Sequence, residues 1–198
     1  MTCLDVSRMG FKHVGENVRI FPGAKIIGCE HIHIGSNVII DDFVLIYATA
    51  PVYIGSYVHI ASFTSISGGS VVLEDFAGLS SGVRIIAGSE DFLGGGLTNP
   101  TVPAKYRPVQ RSVVHIGRHV IIGANSSVMP GVHVGEGTAV GANSLVGRSL
   151  EPWGVYLGNP VRRLKERESE TILRLERELM AERPFEPLVP PDMRALYG

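Results

Sequence analysis

The sequence predicts an all-β fold in which short parallel strands wind into a three-sided column of about six coils, with an extended arm loop and a C-terminal α-helix. Three observations predict it. β-Branched residues recur at every sixth position, the recurrence stops between residues 87 and 113, and a charged segment with helical spacing follows residue 162. Glycine makes up 24 of the 198 residues, well above the usual share of about 7%, which favours many tight turns.

The repeat is clearest between residues 116 and 150. Each sixth residue is β-branched, glycine follows five of these six positions, and the residue four places on is small or aliphatic. A short strand and a sharp corner fill six residues, so three such sides close a triangular coil of about 18 residues with the aliphatic side chains inside. The six inward positions are Ile116, Ile122, Val128, Val134, Val140 and Val146.

The same step runs through residues 14–85, with slips of one or two residues that we interpret as bulges or longer corners. Residues 14–87 therefore hold about four coils, and residues 114–151 hold about two. We expect Gly, Asn and Asp at the corners, because these residues accept a positive φ that β-branched residues cannot adopt.

The segment 87–113 interrupts the repeat and predicts an arm that leaves the column and returns. It contains three consecutive glycines, Gly94–Gly96, and the prolines Pro100, Pro103 and Pro108. Loops of this length are uncommon, and most of them are functional or disordered.

The C-terminal segment changes character. Residues 163–183 place Leu164, Ile172, Leu175 and Leu179 mostly three or four positions apart among many charges, which predicts an amphipathic helix. The prolines that follow exclude a helix and predict an extended tail; they are Pro184, Pro187, Pro190 and Pro191. We therefore divide the chain into a β-helical domain, 1–162, and a helix with a proline-rich tail, 163–198.

Composition excludes several classes of function. The formal net charge of −1 gives no reason to expect nucleic acid or an anionic membrane as a partner. Cys3 and Cys29 form neither a disulfide framework nor a CxxC motif, which favours a reducing compartment. No segment is long and apolar enough to span a membrane, and the N-terminus has no secretory signal, so we expect a cytoplasmic protein.

The repeat and the arm motif "SEDFLGGGLTNPTVP" (residues 89–103) together resemble the hexapeptide-repeat acyltransferases. The resemblance covers about residues 14–165 and lies in the galactoside and xenobiotic acetyltransferase branch. It is closest to the surface-polysaccharide O-acetyltransferases that act on O-antigen. It implies a left-handed parallel β-helix, a homotrimer with active sites between subunits, and acetyl-CoA as acyl donor.

Acyl transfer to a hydroxyl or an amine needs a group that accepts a proton. In the branch that the chain resembles, a histidine stands at the start of the arm, but here that place is occupied by Ser89, Glu90 and Asp91. Glu90 and Asp91 are therefore candidate bases. His59 and His115 are the alternatives, because each precedes an inward aliphatic residue and should point outwards.

The resemblance also implies where the acyl donor binds. The corners that match the pantetheine contacts of the family are Gly123-Ala124 and Gly141-Ala142, and the basic residues near the nucleotide phosphates match Arg148, Arg162 and Arg163. The chemistry agrees, since an extended amide chain pairs with exposed backbone beside small side chains, and arginine suits phosphate.

The function predicted first is acetyl-CoA-dependent O-acetylation of a sugar hydroxyl in surface polysaccharide or lipopolysaccharide synthesis. The alternative is N-acetylation of a nucleotide-linked amino sugar, because an amine needs less help from a base. A third hypothesis is a zinc enzyme like the carbonic anhydrases of this fold. His115 and His119 would not converge with His59 on one metal, so we expect no bound zinc. A fourth hypothesis is a structural solenoid without activity. The presence of the arm makes this hypothesis less favoured.

Overall fold

The computed structural model describes residues 3–188. In chain order the strands are β1 (His13–Val14), β2 (Arg19–Ile20), β3 (Lys25–Ile27), β4 (Ile32–Ile34), β5 (Ile39–Ile40), β6 (Leu45–Tyr47), β7 (Val52–Ile54), β8 (His59–Ile60), β9 (Ser65–Ser67), β10 (Ser70–Leu73), β11 (Gly78–Leu79), β12 (Arg84–Ile86), β13 (Gly88–Ser89), β14 (Gln110–Arg111), β15 (Val113–Ile116), β16 (Ile121–Ile122), β17 (Ser127–Val128), β18 (His133–Val134), β19 (Ala139–Val140), β20 (Leu145–Val146), β21 (Gly154–Leu157) and β22 (Arg162–Glu166). The α-helix α1 spans Glu170–Glu182, and short 3-10 helices span Val6–Arg8, Cys29–His31 and Ala104–Tyr106.

Successive strands of the column enter three different sheets, so the chain turns through three sides in each coil. Face 1 has the order β1-β4-β7-β10-β15-β18, face 2 has β2-β5-β8-β11-β16-β19-β21-β22, and face 3 has β3-β6-β9-β12-β17-β20. Neighbouring strands are parallel, apart from β22, which returns antiparallel to β21. Faces 1 and 3 each contain six strands, which confirms the predicted column of about six coils.

The core lies inside the column and consists of the residues that the period predicts. All six inward positions from Ile116 to Val146 are at most 3% exposed. The positions four residues later are buried as well, and some of them are polar. Ser126 donates its hydroxyl to Gly141 O and Thr138 donates to Glu151 O, so these buried hydroxyls do not lose their hydrogen bonds.

The glycines that follow the inward aliphatic residues correct one expectation. Gly55 and Gly123 do not have a positive φ. A Cβ on Gly123 would lie 2.5 Å from Ala142 N, and one on Gly55 would lie 2.7 Å from Asp75 N. These positions need glycine because the next coil approaches too closely for a side chain.

Positive φ angles occur two residues further along the corners, where asparagine was expected but aromatic residues were not. Phe43, Tyr57, Phe63, Phe76 and Trp153 all have φ between 53° and 65°. Tyr57 stacks on Phe76 at 5.1 Å between ring centroids, and Phe43 stacks on Phe63 at 5.2 Å. Stacking between coils thus compensates for a backbone conformation that costs an aromatic residue free energy.

The C-terminal helix is present but begins later than predicted. Arg162–Glu166 form β22 on face 2, and the helix begins at Glu170. Its Glu176 lies 2.8 Å from Arg118 and 3.0 Å from His119, at the edge between faces 1 and 2. Phe185, after the helix, packs against Tyr57 and Phe76. The remaining tail prolines, Pro190 and Pro191, lie outside the described residues.

The arm that the interrupted period predicts is present, and it leaves the column at the edge between faces 3 and 1. The antiparallel pair of β13 and β14 closes its root. Phe92 and Leu93 near its tip are 88% and 97% exposed. Within residues 3–188, no helix is long and apolar enough to cross a membrane.

Candidate active site

A cleft of about 300 Å³ opens at the edge between faces 2 and 3, which we call edge 2–3. Its lining comes from the third, fourth and fifth coils and consists of His59, Ala61, Gly78, Leu79, Ser80, Ser81 and Ile121. A Cβ on Gly78 would meet nothing within 4 Å. The space beside the outer side of β11 is therefore open to a ligand.

His59 is the titratable residue of this cleft. Its Nε2 lies 3.1 Å from Asp41 Oδ2, and their side chains are 53% and 27% exposed. Asp41 follows β5 and His59 begins β8, so the pair connects two consecutive coils. An imidazole with a carboxylate on one nitrogen keeps the other nitrogen available as a proton acceptor.

The corners predicted to contact pantetheine stack directly above this cleft. Ser80 N donates to Ile122 O at 3.0 Å, and Gly123 N donates to Val140 O at 2.7 Å, so Ser80, Gly123 and Gly141 follow one another along edge 2–3. Ala124 and Ala142 accompany these glycines. The four predicted corner residues share this edge, which presents only small side chains above the cleft, and His59 lies on face 2 beside it.

The three arginines predicted to contact the nucleotide phosphates do not lie together in one chain. Arg162 and Arg163 lie on β22, which belongs to face 2, and Arg163 pairs with Glu166 at 2.8 Å. Arg148 follows β20 at the edge between faces 3 and 1, here edge 3–1. Within one chain, Arg148 is thus on a different edge from the small corner residues.

Glu90 and Asp91 lie at the root of the arm on edge 3–1. Arg107 Nε donates to both Glu90 oxygens, at 2.8 and 2.9 Å. These hydrogen bonds hold the pKa of the Glu90 carboxyl below its ordinary value. A carboxylate with a lowered pKa is a poorer proton acceptor at neutral pH, so the geometry favours Glu90 as the residue that fixes the arm.

Asp91 differs from its neighbour. Its Oδ1 accepts a hydrogen bond from Leu93 N at 2.8 Å, while its Oδ2 is buried and has no hydrogen-bond partner among the described residues. A buried carboxylate oxygen without a partner is costly unless something else supplies a donor. Beside the arm root, a second cleft of about 510 Å³ is lined by residues that include Tyr47, Ser89 and Arg107.

His115 is outward-facing as predicted, but it is 7% exposed and lies on face 1. Its Nε2 lies 2.6 Å from Glu74 and its Nδ1 lies 2.8 Å from His133 Nδ1. Burial lowers the pKa of His133, and the neighbouring His115 adds to this effect. Both nitrogens of His115 have partners, so the geometry favours a structural network over a base.

Sequence reasoning missed Asp41, Arg107, Ser80 and Ser81. For Asp41 a signal existed, since it precedes His59 by 18 residues, about one coil. Arg107 lies 17 residues from Glu90 within the irregular arm, where no period relates the two. Among the described residues, no group of three potential ligands could hold a metal ion.

Comparison with known proteins decides the family. The family profile described as bacterial transferase hexapeptide (six repeats) matches residues 114–148. The dTDP-4-amino-4,6-dideoxy-D-glucose acyltransferase of Escherichia coli is 43% identical over 175 residues, which cover 87% of this chain and 91% of that protein. The chain belongs to the hexapeptide-repeat acyltransferases. As the sequence predicts, it is an acyltransferase built on a left-handed parallel β-helix.

Solved structures of AntD, an N-acyltransferase from Bacillus cereus, resemble this hexapeptide-repeat acyltransferase over most of its length. One of them, a variant in which a serine is replaced by cysteine, in complex with dTDP-4-amino-4,6-dideoxyglucose and coenzyme A, is 42% identical, with a TM-score of 0.85 over 90% of this chain and 95% of that chain. Another holds dTDP and 3-hydroxybutyryl-CoA, with 41% identity and a TM-score of 0.84 over 90% and 94% of the two chains. Further AntD structures carry substitutions of a serine or of an aspartate.

Proposed function

We propose that this acyltransferase transfers an acyl group from a coenzyme A thioester to the amino group of a nucleotide-linked amino sugar. The observation that carries the proposal is the 43% identity, over 87% of the chain, to an acyltransferase named for a dTDP-amino sugar. The B. cereus relative, which binds the same sugar nucleotide and coenzyme A, supports it. This reverses the order of the two functions weighed from the sequence, since the relatives favour N-acylation over O-acetylation.

The residues of the chain agree with an amine acceptor. An uncharged amine attacks a thioester without prior removal of a proton, whereas a hydroxyl needs a base as it attacks. The arm has no histidine at Ser89-Glu90-Asp91, and Glu90 is held by Arg107. A weaker requirement for a base is consistent with this replacement.

The donor is assigned to edge 2–3. The pantetheine arm of coenzyme A would lie along Gly123-Ala124 and Gly141-Ala142, where small side chains leave backbone groups accessible. Its thioester would then reach the cleft at Ser80 and Ser81. Arg162 and Arg163, further along the same face, would face the nucleotide phosphates.

A homotrimer would complete the site. Within one chain, His59 lies on face 2 beside edge 2–3, whereas Asp91 and Arg148 are on edge 3–1. A neighbouring copy that places its edge 3–1 beside this cleft would bring the two sets together. The exposure of Phe92 and Leu93 at the arm tip, and of Phe43 and Phe63 on edge 2–3, supports such a contact.

In this arrangement His59 is the base that we favour, and a neighbouring Asp91 orients the amine. The amine nitrogen forms a bond to the thioester carbonyl carbon, and the carbon–sulfur bond breaks as its electron pair leaves with sulfur. His59 accepts the proton released from nitrogen and returns it to the thiolate, which gives an amide and free coenzyme A. Asp91 Oδ2, which has no donor among residues 3–188, would accept a hydrogen bond from the amine.

The test is an acceptor comparison with purified protein. Acetyl-CoA or 3-hydroxybutyryl-CoA is supplied with dTDP-4-amino-4,6-dideoxyglucose or with the matched sugar nucleotide that has a hydroxyl at C4, and release of the coenzyme A thiol is followed. We expect thiol release only with the amino-sugar nucleotide, and we expect the mass of that sugar nucleotide to increase by one acyl group. Transfer to the hydroxyl sugar alone, or to neither, would contradict the proposal.

A further inference from the structure

A carboxylate that the sequence did not single out lies against the favoured base. We propose that Asp41 is a positioning residue that holds His59 in the tautomer able to accept the proton of the acceptor amine. The inference rests on the proposed acyl transfer, and it concerns the contact at 3.1 Å between Asp41 Oδ2 and His59 Nε2.

The surroundings make Asp41 the group that can set the state of His59. β8 lies between β5 and β11, and the residues beside His59 in register are Ile39 and Gly78, neither of which titrates. Among the described residues, Asp41 is the only charged partner of His59. Asp41 N donates to Ile60 O at 3.0 Å, so the backbone that carries this carboxylate is fixed to the strand that carries the histidine.

The chemistry follows from the two nitrogens of the ring. A neutral imidazole has one N–H and one lone pair, and a carboxylate accepts but cannot donate a hydrogen bond. Asp41 at Nε2 therefore selects the Nε2–H tautomer and leaves Nδ1 as the acceptor. Once Nδ1 takes the proton, the ring is a cation and the carboxylate stabilises it. The same proton then passes to the departing thiolate, so no further reactant is needed.

The position of the pair favours function over stability. His59 is half-exposed, and exposed ion pairs contribute little to folding. The ring lines the cleft beneath the open space at Gly78, where an acceptor would lie. Asp42, the next residue, provides a matched control, because its Oδ1 accepts a hydrogen bond from Gly23 N at 2.7 Å and does not contact His59.

The first experiment reads the tautomer directly. Protein labelled with ¹⁵N-histidine is compared by long-range proton–nitrogen NMR for the wild type, Asp41→Asn and Asp42→Asn, with His59→Ala used to assign the signals. We expect the Nε2–H form of His59 in the wild type and in Asp42→Asn, and a larger share of the Nδ1–H form in Asp41→Asn. A wild-type His59 in the Nδ1–H form, or a tautomer ratio unchanged by Asp41→Asn, would overturn the inference whether or not transfer is detected.

The second experiment separates positioning from a structural role. Asp41→Asn should lower kcat between about 10-fold and 100-fold with little change in KM, and Asp41→Glu should recover part of the loss. In a His59→Ala background, Asp41→Asn should have no further effect, since the carboxylate acts through the imidazole. An equal loss in that background, or an unchanged kcat in the single variant, would refute the role. A wild-type enzyme that transfers to no amino sugar would instead contradict the proposed function.

Discussion

At the scale of single residues, the glycines of the repeat test how closely the coils pack. A Cβ added to Gly55 would lie 2.7 Å from Asp75 N, whereas a Cβ added to Gly147 would have no contact within 4 Å. Gly55→Ala should therefore lower the free energy of unfolding by about 1–3 kcal/mol, and Gly147→Ala should change it by less than about 0.5 kcal/mol. Thermal or denaturant unfolding of the two variants checks this, and equal effects would show that close approach does not explain the glycines.

Inward and outward residues differ in how far the sequence predicts them. Ile116, Val134 and their equivalents were predictable because burial repeats every six residues and needs no knowledge of neighbouring coils. The contacts of outward residues depend on which coil lies beside them. The slips between coils therefore hid the pairing of His59 with Asp41, although the two are only 18 residues apart.

At the scale of elements, the arm depends on the ion pair between Glu90 and Arg107. Because Arg107 lowers the pKa of Glu90 below its ordinary value of 4.5, the stabilisation that this carboxylate gives the arm root is fully present above about pH 4.5 and is lost as the pH falls through the lower value of the folded protein. The protection factors for hydrogen exchange at Gly88 and Ser89, which correct for the pH dependence of the intrinsic rate, should fall on acidification in that range. Glu90→Gln should show low protection factors at every pH; if it protects these amides as well as the wild type does, the arm root is held by other contacts.

The elements also show where sequence reasoning stops. The strands and the arm were predictable from the period and from its interruption. The start of the helix was not, since residues 163–166 belong to the segment whose spacing predicts a helix but pair with the open edge of β21 instead. Pairing with an unsatisfied strand edge overrides local helical preference at this point.

At the scale of the whole molecule, the predicted site residues fall into two sets. Gly123 and Gly141 lie on edge 2–3 with His59 beside them on face 2, whereas Asp91 and Arg148 lie on edge 3–1. The repeat predicts His59 as an outward residue and the resemblance predicts the donor contacts, but neither could show that one column keeps the two sets apart. The proposed site combines both edges and would therefore require a second copy, so we propose that activity is a property of the assembly.

The most direct test of this account is complementation between two inactive variants. His59→Ala and Asp91→Ala, each with its own affinity tag, are expressed together, and trimers that carry both tags are assayed for acyl transfer. Each parent alone should be inactive, because every site lacks one group. In mixed trimers about a third of the sites should combine an intact edge 2–3 with an intact arm, so activity should return to about that fraction of wild type. Mixed trimers as inactive as their parents would contradict a site shared between copies.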